Sequence, residues 1–242
     1  IRAQPRSRGL GDVYKRQPFI DKSYSELAEY VAAYDQKMQM SREVIADKGI
    51  WTAKKRYILN VWDNEGVKYK EPQLKIMGIE AVKSSTPAPC RQKIKDALKI
   101  IMSGDEKMLN TFIQEFREEF MTLPPEEIAF PRSCNGVLRY SDESSLYKKG
   151  TPQHCKGALL YNHLIVQKKL EGKYPLIQEG DKIRFLNMKQ PNIYQSSAFS
   201  FITLMPKELD FHSKIDYDIQ FEKSFVEPLR SITEKMNWLI DN

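Results

Sequence analysis

The apolar residues of this chain change their spacing part-way along it, and that change limits the fold more than any other feature. From Lys55 to Trp62 they alternate, with Tyr57, Leu59 and Val61 on one face, which is the period of a strand. Asp63-Asn64-Glu65-Gly66 supplies turn residues and Val67–Met77 returns, so an antiparallel β-hairpin is predicted. Ahead of it, Phe19, Ile20, Tyr24, Leu27, Tyr30 and Val31 predict an amphipathic helix over 19–34, followed by an extended stretch from Met38 to Ile45. Beyond the hairpin the helical period takes over. Thr86 and Pro87 read as N-cap and first-turn proline of a helix carrying Ile94, Leu98 and Ile101. Gly104 breaks that helix, and Asp105 caps the next, whose stripe is Leu109, Phe112, Ile113, Phe116 and Phe120.

Pro124-Pro125 ends this second helix, and residues 132–153 read as a polar loop. A helix is predicted over Ala158–Lys169, short strands over Asp181–Met188 and Phe199–Leu204, and a terminal helix over Asp216–Trp238 bent near Pro228. The fold class is α+β, with no internal repeat.

The 242 residues are 41% hydrophobic and 29% charged, which suits one or two globular units. No apolar run is long enough for a membrane span, and no h-region follows the basic start. A chain opening on Ile1 is expected to be part of a longer reading frame. The formal charge of +6 is unevenly held: Arg2, Arg6, Arg8, Lys15 and Arg16 oppose only Asp12, so Ile1–Gln17 carries +4 and leaves +2 for the rest. Global charge is therefore weak support for a nucleic-acid partner. Residues 1–17 resemble a translated library adapter of the kind found in proteins assembled from environmental reads, and are expected to be a non-native tail. Cys90, Cys134 and Cys155 have the spacing of neither a zinc site nor a disulfide framework, and free thiols are expected.

Two segments carry chemistry on their own residues. Lys54-Lys55-Arg56-Tyr57 gathers cations at the head of a predicted strand, where Lys55 and Tyr57 would face one way and Lys54 and Arg56 the other. Taken alone, a solvated cationic strand end accounts for it. Lys83-Ser84-Ser85-Thr86 precedes a predicted helix, whose N–H groups and dipole, with two hydroxyls and a lysine, would make a phosphate cradle.

Their context is an ordered series. Gly49-Ile50-Trp51-Thr52-Ala53-Lys54-Lys55-Arg56-Tyr57 is followed by Asn60-Val61-Trp62-Asp63, Leu74-Lys75-Ile76-Met77-Gly78-Ile79-Glu80 and Lys83-Ser84-Ser85-Thr86-Pro87. Upstream stand Pro18-Phe19-Ile20-Asp21 and Ser41-Arg42-Glu43; downstream stand His154-Cys155-Lys156-Gly157, Leu160-Tyr161-Asn162, Lys173-Tyr174-Pro175-Leu176-Ile177, Gly180-Asp181-Lys182-Ile183 and Phe221-Glu222-Lys223-Ser224-Phe225. This series closely resembles the family B DNA polymerases of T-even-type bacteriophages over residues 18–238, although the loop between Glu43 and Trp51 is shorter than the family's.

The resemblance implies that 18–78 is the C-terminal part of a palm domain and 79–242 a mostly helical thumb domain with a few short strands. It implies that Lys55 and Tyr57, flanked by Lys54 and Arg56, touch the minor-groove side of a primer terminus, where shared acceptors report pair shape rather than sequence. Lys83, Ser84, Ser85 and Thr86 would hold phosphate. Arg132, Ser133 and Asn135, then His154, Lys156, Gly157, Tyr161 and Asn162, would follow the duplex backbone. Glu43 matches a carboxylate near the catalytic metals. The paired metal-binding aspartates and the nucleotide-binding lysine belong to motifs that precede Pro18 in the family order, so nucleotidyl transfer with dNTP and Mg²⁺ is expected of the parent enzyme and not of this chain alone. The family's clamp-binding tail holds a Phe pair, which Trp238-Leu239-Ile240-Asp241-Asn242 lacks; a sliding clamp would be a partner of the parent. A phage enzyme of this kind would work in the bacterial cytoplasm. Two other classes compete: a stand-alone, non-enzymatic duplex DNA-binding module, and a helical interaction protein in which the two cationic segments point different ways.

Overall fold

A computed structural model describes residues 8–142 and 145–240, with side chains from residue 16 onward. Helix α1, Arg8–Tyr30, contains Pro18 and begins inside the segment set aside as adapter-derived. It stops ahead of the predicted end, and Ala32 follows in the left-handed region at φ 50°. Three strands come next: β1 Val44–Ala53, β2 Arg56–Asn64 and β3 Val67–Met77. They form one antiparallel sheet in that order. The predicted hairpin is β2–β3. Strand β1 was expected only as a short extended stretch ending at Ile45, because exposed residues fill much of it and leave a weak alternation.

The chain clusters into two compact units, each described by itself. The first takes in the chain up to Gly49 together with Leu59–Lys75. Its fixed point is Asp63, which is buried. One carboxylate oxygen accepts from Arg42 at 2.7 Å and the other from the Gly66 N–H at 2.9 Å, which pins the β2–β3 turn.

The second unit comprises Ile50–Ile58 and the chain from Ile76 onward. Helix α2 is Ala88–Ser103 and α3 is Glu106–Thr122. Asp105 caps α3 as predicted, its side chain accepting from the Met108 N–H at 2.8 Å. The stripe on α3 meets the terminal helical segment in a cluster of rings. Phe116 lies 4.7 Å from Phe225 and 5.7 Å from Phe221, and Phe120 lies 5.1 Å from Phe221. Burying each ring is worth about 1.5–3 kcal/mol. The terminal segment runs as α7 (Tyr217–Phe221, after α4 Pro125–Ile128, α5 Val137–Tyr140 and α6 Gln153–Gln167), a π turn over Glu222–Val226, and α8 (Glu227–Thr233). The bend expected near Pro228 is this π turn: proline has no N–H, and the Glu227 N–H reaches back to the Glu222 carbonyl instead.

A second sheet orders β4 (Phe130–Ser133), β5 (Lys182–Asn187) and β6 (Ala198–Phe201). Its pairs include Arg132↔Ile183, Ser133↔Lys182 and Leu186↔Phe199. Thus β4 and α5 lie within or beside a stretch read as loop, too short for periodicity to reveal. Helix α6 starts before the predicted Ala158, since Gln153 and His154 are polar and carry no stripe. No helix among the described residues is long and apolar enough to cross a membrane.

Phe116→Ala should lower stability by about 3–5 kcal/mol, whereas Val166→Ala on the exposed side of α6 should stay within about 0.5 kcal/mol; urea unfolding of both variants measures the contrast.

Candidate nucleic-acid interface

The four residues Lys54-Lys55-Arg56-Tyr57 do not open a strand side by side. Lys54 and Lys55 are the two-residue turn between β1 and β2, with Lys55 in the left-handed region at φ 62°. The sequence concealed this turn because neither position is the Gly, Asn or Asp that usually signals one. Both lysines are exposed, while Arg56 and Tyr57 are half-buried on β2. The Nη2 of Arg56 donates to both carboxylate oxygens of Glu80, at 3.1 and 2.9 Å. Lys83 Nζ meets the same carboxylate at 2.7 Å. Two of the cations expected to face nucleic acid therefore share an internal counter-ion. Glu80 escaped sequence reasoning because a lone acid near a lysine reads as a solvated pair.

The Lys83–Thr86 segment is a turn, closed by the Thr86 N–H on the Lys83 carbonyl at 3.2 Å. Ser84 is exposed, Ser85 half-buried and Thr86 buried. Thr86 is not the N-cap of α2; Pro87 holds that position without a side-chain cap bond, and a second proline, Pro89, occupies the first turn. Proline at that place removes one of the free N–H groups on which a helix-end cradle depends. The hydroxyls of Ser84 and Ser85 remain available; the helix end contributes less than expected.

A third group gathers where β4 ends and α6 begins. Arg132 and Ser133 are exposed at the end of β4, opposite Ile183 and Lys182, and Lys182 is exposed too. Asn135 is exposed, and its carbonyl accepts from the buried Cys155 thiol at 3.5 Å. His154 and Lys156 stand in the first turn of α6, with the Lys156 ammonium 5.3 Å from the Tyr147 ring centre. Burial lowers the His154 pKa below its ordinary 6.5, and the neighbouring Arg132 charge lowers it further. Lys182 was not singled out from sequence; its only signal was a place in Gly180-Asp181-Lys182-Ile183.

Other expected contact residues serve the interior. A Cβ on Gly157 would lie 2.5 Å from Ser200 Oγ and 2.7 Å from its backbone nitrogen, so α6 seats on β6 only through glycine. Tyr161 is buried against Phe199 and donates to the Pro175 carbonyl at 3.0 Å; burial raises its pKa to about 12. Asn162 both donates to and accepts from the Ile177 backbone at 2.8 Å, fixing the segment that leads into β5.

The three cysteines are buried and unbridged, and burial, then Cys155, pushes the Cys134 thiol up to about 12. Glu43, just before β1, pairs with Lys75 at 2.5 Å. Among the described residues no group of three or more His, Cys, Asp or Glu could hold a metal. One D-x-D string that sequence reasoning passed over, Asp216-Tyr217-Asp218, is committed elsewhere. Asp216 caps α7 through the Ile219 N–H at 2.9 Å, and Asp218 pairs with Arg117 at 2.7 Å. A groove of about 800 Å³ along α3 is lined by Asp105, Glu106, Glu115 and Glu118 among others; its acids would repel a phosphate chain.

For His154 the unfolded chain takes its proton near 6.5 and the folded chain only at lower pH. Its contribution to stability is present above the unfolded value and is lost as pH falls below it. Ring-proton NMR should place the His154 midpoint below 6.5, and Arg132→Ala should move it up only part of the way, because burial is the larger cause.

No protein-family model matches the chain. In sequence it is 33% identical over 232 residues to the DNA-directed DNA polymerase of Enterobacteria phage T4, across 91% of this chain and 25% of that polymerase. It is 35% identical over 232 residues to the DNA-directed DNA polymerase of Escherichia phage RB69, across 90% of this chain and 25% of that polymerase. The chain thus spans about a quarter of the length of the curated relatives it matches, and along nearly all of its own length it is related to the phage DNA-directed DNA polymerases.

Proposed function

We propose that this chain is the duplex-gripping part of a family B replicative polymerase, with 18–78 as the end of the palm and 79–242 as the thumb. The observation that carries the reading is identity of 33–35% sustained along about nine-tenths of the chain. In this reading Lys54 and Lys55, on an exposed two-residue turn, reach the minor groove near the primer terminus, backed by the Tyr57 ring. Acceptors there are common to all correct pairs, so the turn senses shape and not sequence. Ser84 and Ser85 meet a phosphate. Arg132, Ser133, Asn135, His154, Lys156 and Lys182 line the duplex backbone farther along the chain. Thr86, Gly157, Tyr161 and Asn162 hold these surfaces in place without touching DNA.

The chemistry belongs to the longer enzyme: aspartates outside this chain would bind Mg²⁺, dNTP would be its substrate, a sliding clamp its partner, and a bacterial host's cytoplasm its setting. Glu43 would lie near those metals. Phosphate contacts position a duplex and carry no sequence information, so binding by this chain should be weak and indifferent to sequence.

Primer–template DNA supplied with dNTPs and Mg²⁺ should be bound by the chain but not extended. If about five phosphates are neutralised, Arg132, Lys156 and Lys182 among the groups that meet them, affinity should fall roughly 10²–10³-fold between 50 and 200 mM salt. Salt-independent binding, or equal binding by an Arg132→Glu, Lys156→Glu double variant, would refute the reading; so would template-dependent extension by the pure chain.

In a polymerase carrying this stretch, Lys55→Ala should slow incorporation more than it weakens DNA binding. Losing a charged hydrogen bond costs about 1.5–3 kcal/mol, or roughly one to two decades. A bond made when the terminus is aligned for attack shows that loss in the rate. An unchanged saturated single-turnover rate would remove Lys55 from the terminus.

A further inference from the structure

We infer that Glu80 is an internal phosphate surrogate: it withholds Arg56 and Lys83 from the duplex, braces the Lys54–Lys55 turn, and so sets how many phosphates the chain contacts. The inference rests on the duplex-binding reading above. Three observations carry it.

The first is geometry. One carboxylate receives Arg56 Nη2 on both oxygens, at 2.9 and 3.1 Å, and Lys83 Nζ at 2.7 Å on one of them. Two cations converging on one oxyanion is the arrangement they would adopt around a phosphate. Lys54 and Lys55, next to Arg56, make no ion pair among the described residues and stay exposed. The chain therefore divides these four cations into an unpaired couple and a couple that shares the single negative charge of Glu80.

The second is exposure. Side-chain exposures of 36% for Arg56, 41% for Lys83 and 22% for Glu80 leave the cluster within reach of solvent, and of a duplex backbone, rather than sealed in the core. An ion pair that open is weak and screened by salt.

The third is the close approach behind the turn. Gly78 has φ +67°, and a Cβ there would lie 2.5 Å from the Lys55 carbonyl oxygen and 3.0 Å from Arg56 Cγ. The chain leaving β3 thus runs directly against the turn, and Glu80 follows two residues later. Glu80 is a positioning residue: it acts on DNA through Arg56, Lys83 and the turn they flank.

The test uses the 242-residue chain and a fluorescently labelled duplex, titrated at several salt concentrations after circular dichroism has verified each variant's fold. Glu80→Gln should bind more tightly at low salt, with a log–log salt slope steeper by about 0.9 for each phosphate gained, and by at most about 1.8 for both cations. Arg56→Ala added to Glu80→Gln should return about 0.9 of that slope. Arg56→Gln and Lys83→Gln combined with Glu80→Gln should give a slope no steeper than wild type, since the two cations that Glu80→Gln would release are gone. Hydrogen exchange over residues 50–58 should speed up in Glu80→Gln. A wild-type slope in Glu80→Gln, or a slope steeper than wild type in the triple variant, overturns the inference while leaving salt-dependent duplex binding intact. If the wild-type chain fails to bind duplex at low salt, the functional reading is what fails; Glu80→Gln gaining salt-dependent binding would still support masking, and its failure to gain any would sink it.

Discussion

The seat of α6 on β6 is the constraint on which the candidate interface depends. Glycine at 157 lets the helix backbone approach Ser200 more closely than any side chain would allow, and Ser200 Oγ donates to the His154 carbonyl at 2.9 Å. The helix start is therefore held against the sheet whose β4 strand ends in Arg132 and Ser133. Tyr161 and Asn162, on the next turns, tie the same helix to Pro175 and Ile177. Residues that a resemblance marks as contacts thus form two sets: exposed polar groups that can meet a ligand, and buried ones that fix where the first set stands.

Much of the architecture was legible because its signals were long or punctuated. The α3 stripe spans several turns and is closed by Asp105 and the Pro124-Pro125 pair, so its limits followed from periodicity and capping. The β2–β3 hairpin followed from alternation around Asp63-Asn64-Glu65-Gly66. The Lys54–Lys55 turn was not legible, since its left-handed residue is a lysine, and the close approach of Gly78 to the Lys55 carbonyl is a contact remote in sequence. Thr86 was misassigned for the opposite reason: local capping preference pointed to it, but Pro87 and Pro89 start the helix one residue later and bury the hydroxyl residue.

The candidate site was legible as positions and not as roles. A resemblance carries residue types forward, yet it is blind to which cation already has a partner. Arg56 and Lys83 look identical in sequence to Lys54 and Lys55 as sources of charge. Only the placement of Glu80 separates them. Lys182 shows the converse, since it acquires interest from the β4–β5 register that sets it opposite Ser133.

Charge placement also bears on how a nearly neutral chain would meet the polyanionic partner proposed for it. Beyond residue 17 the formal charge is only +2, too little to draw the chain to nucleic acid by its overall field. What matters at a Debye length of about 8–10 Å is the local balance. Asp105, Glu106, Glu115 and Glu118 share a groove along α3, while Arg132 and Lys182 are exposed on paired strands, close to Glu179 and Asp181 beside Cys134. Glu80 is an acid set inside a basic segment, and Arg56 and Lys83 share it, so that segment holds fewer unpaired cations than its sequence suggests.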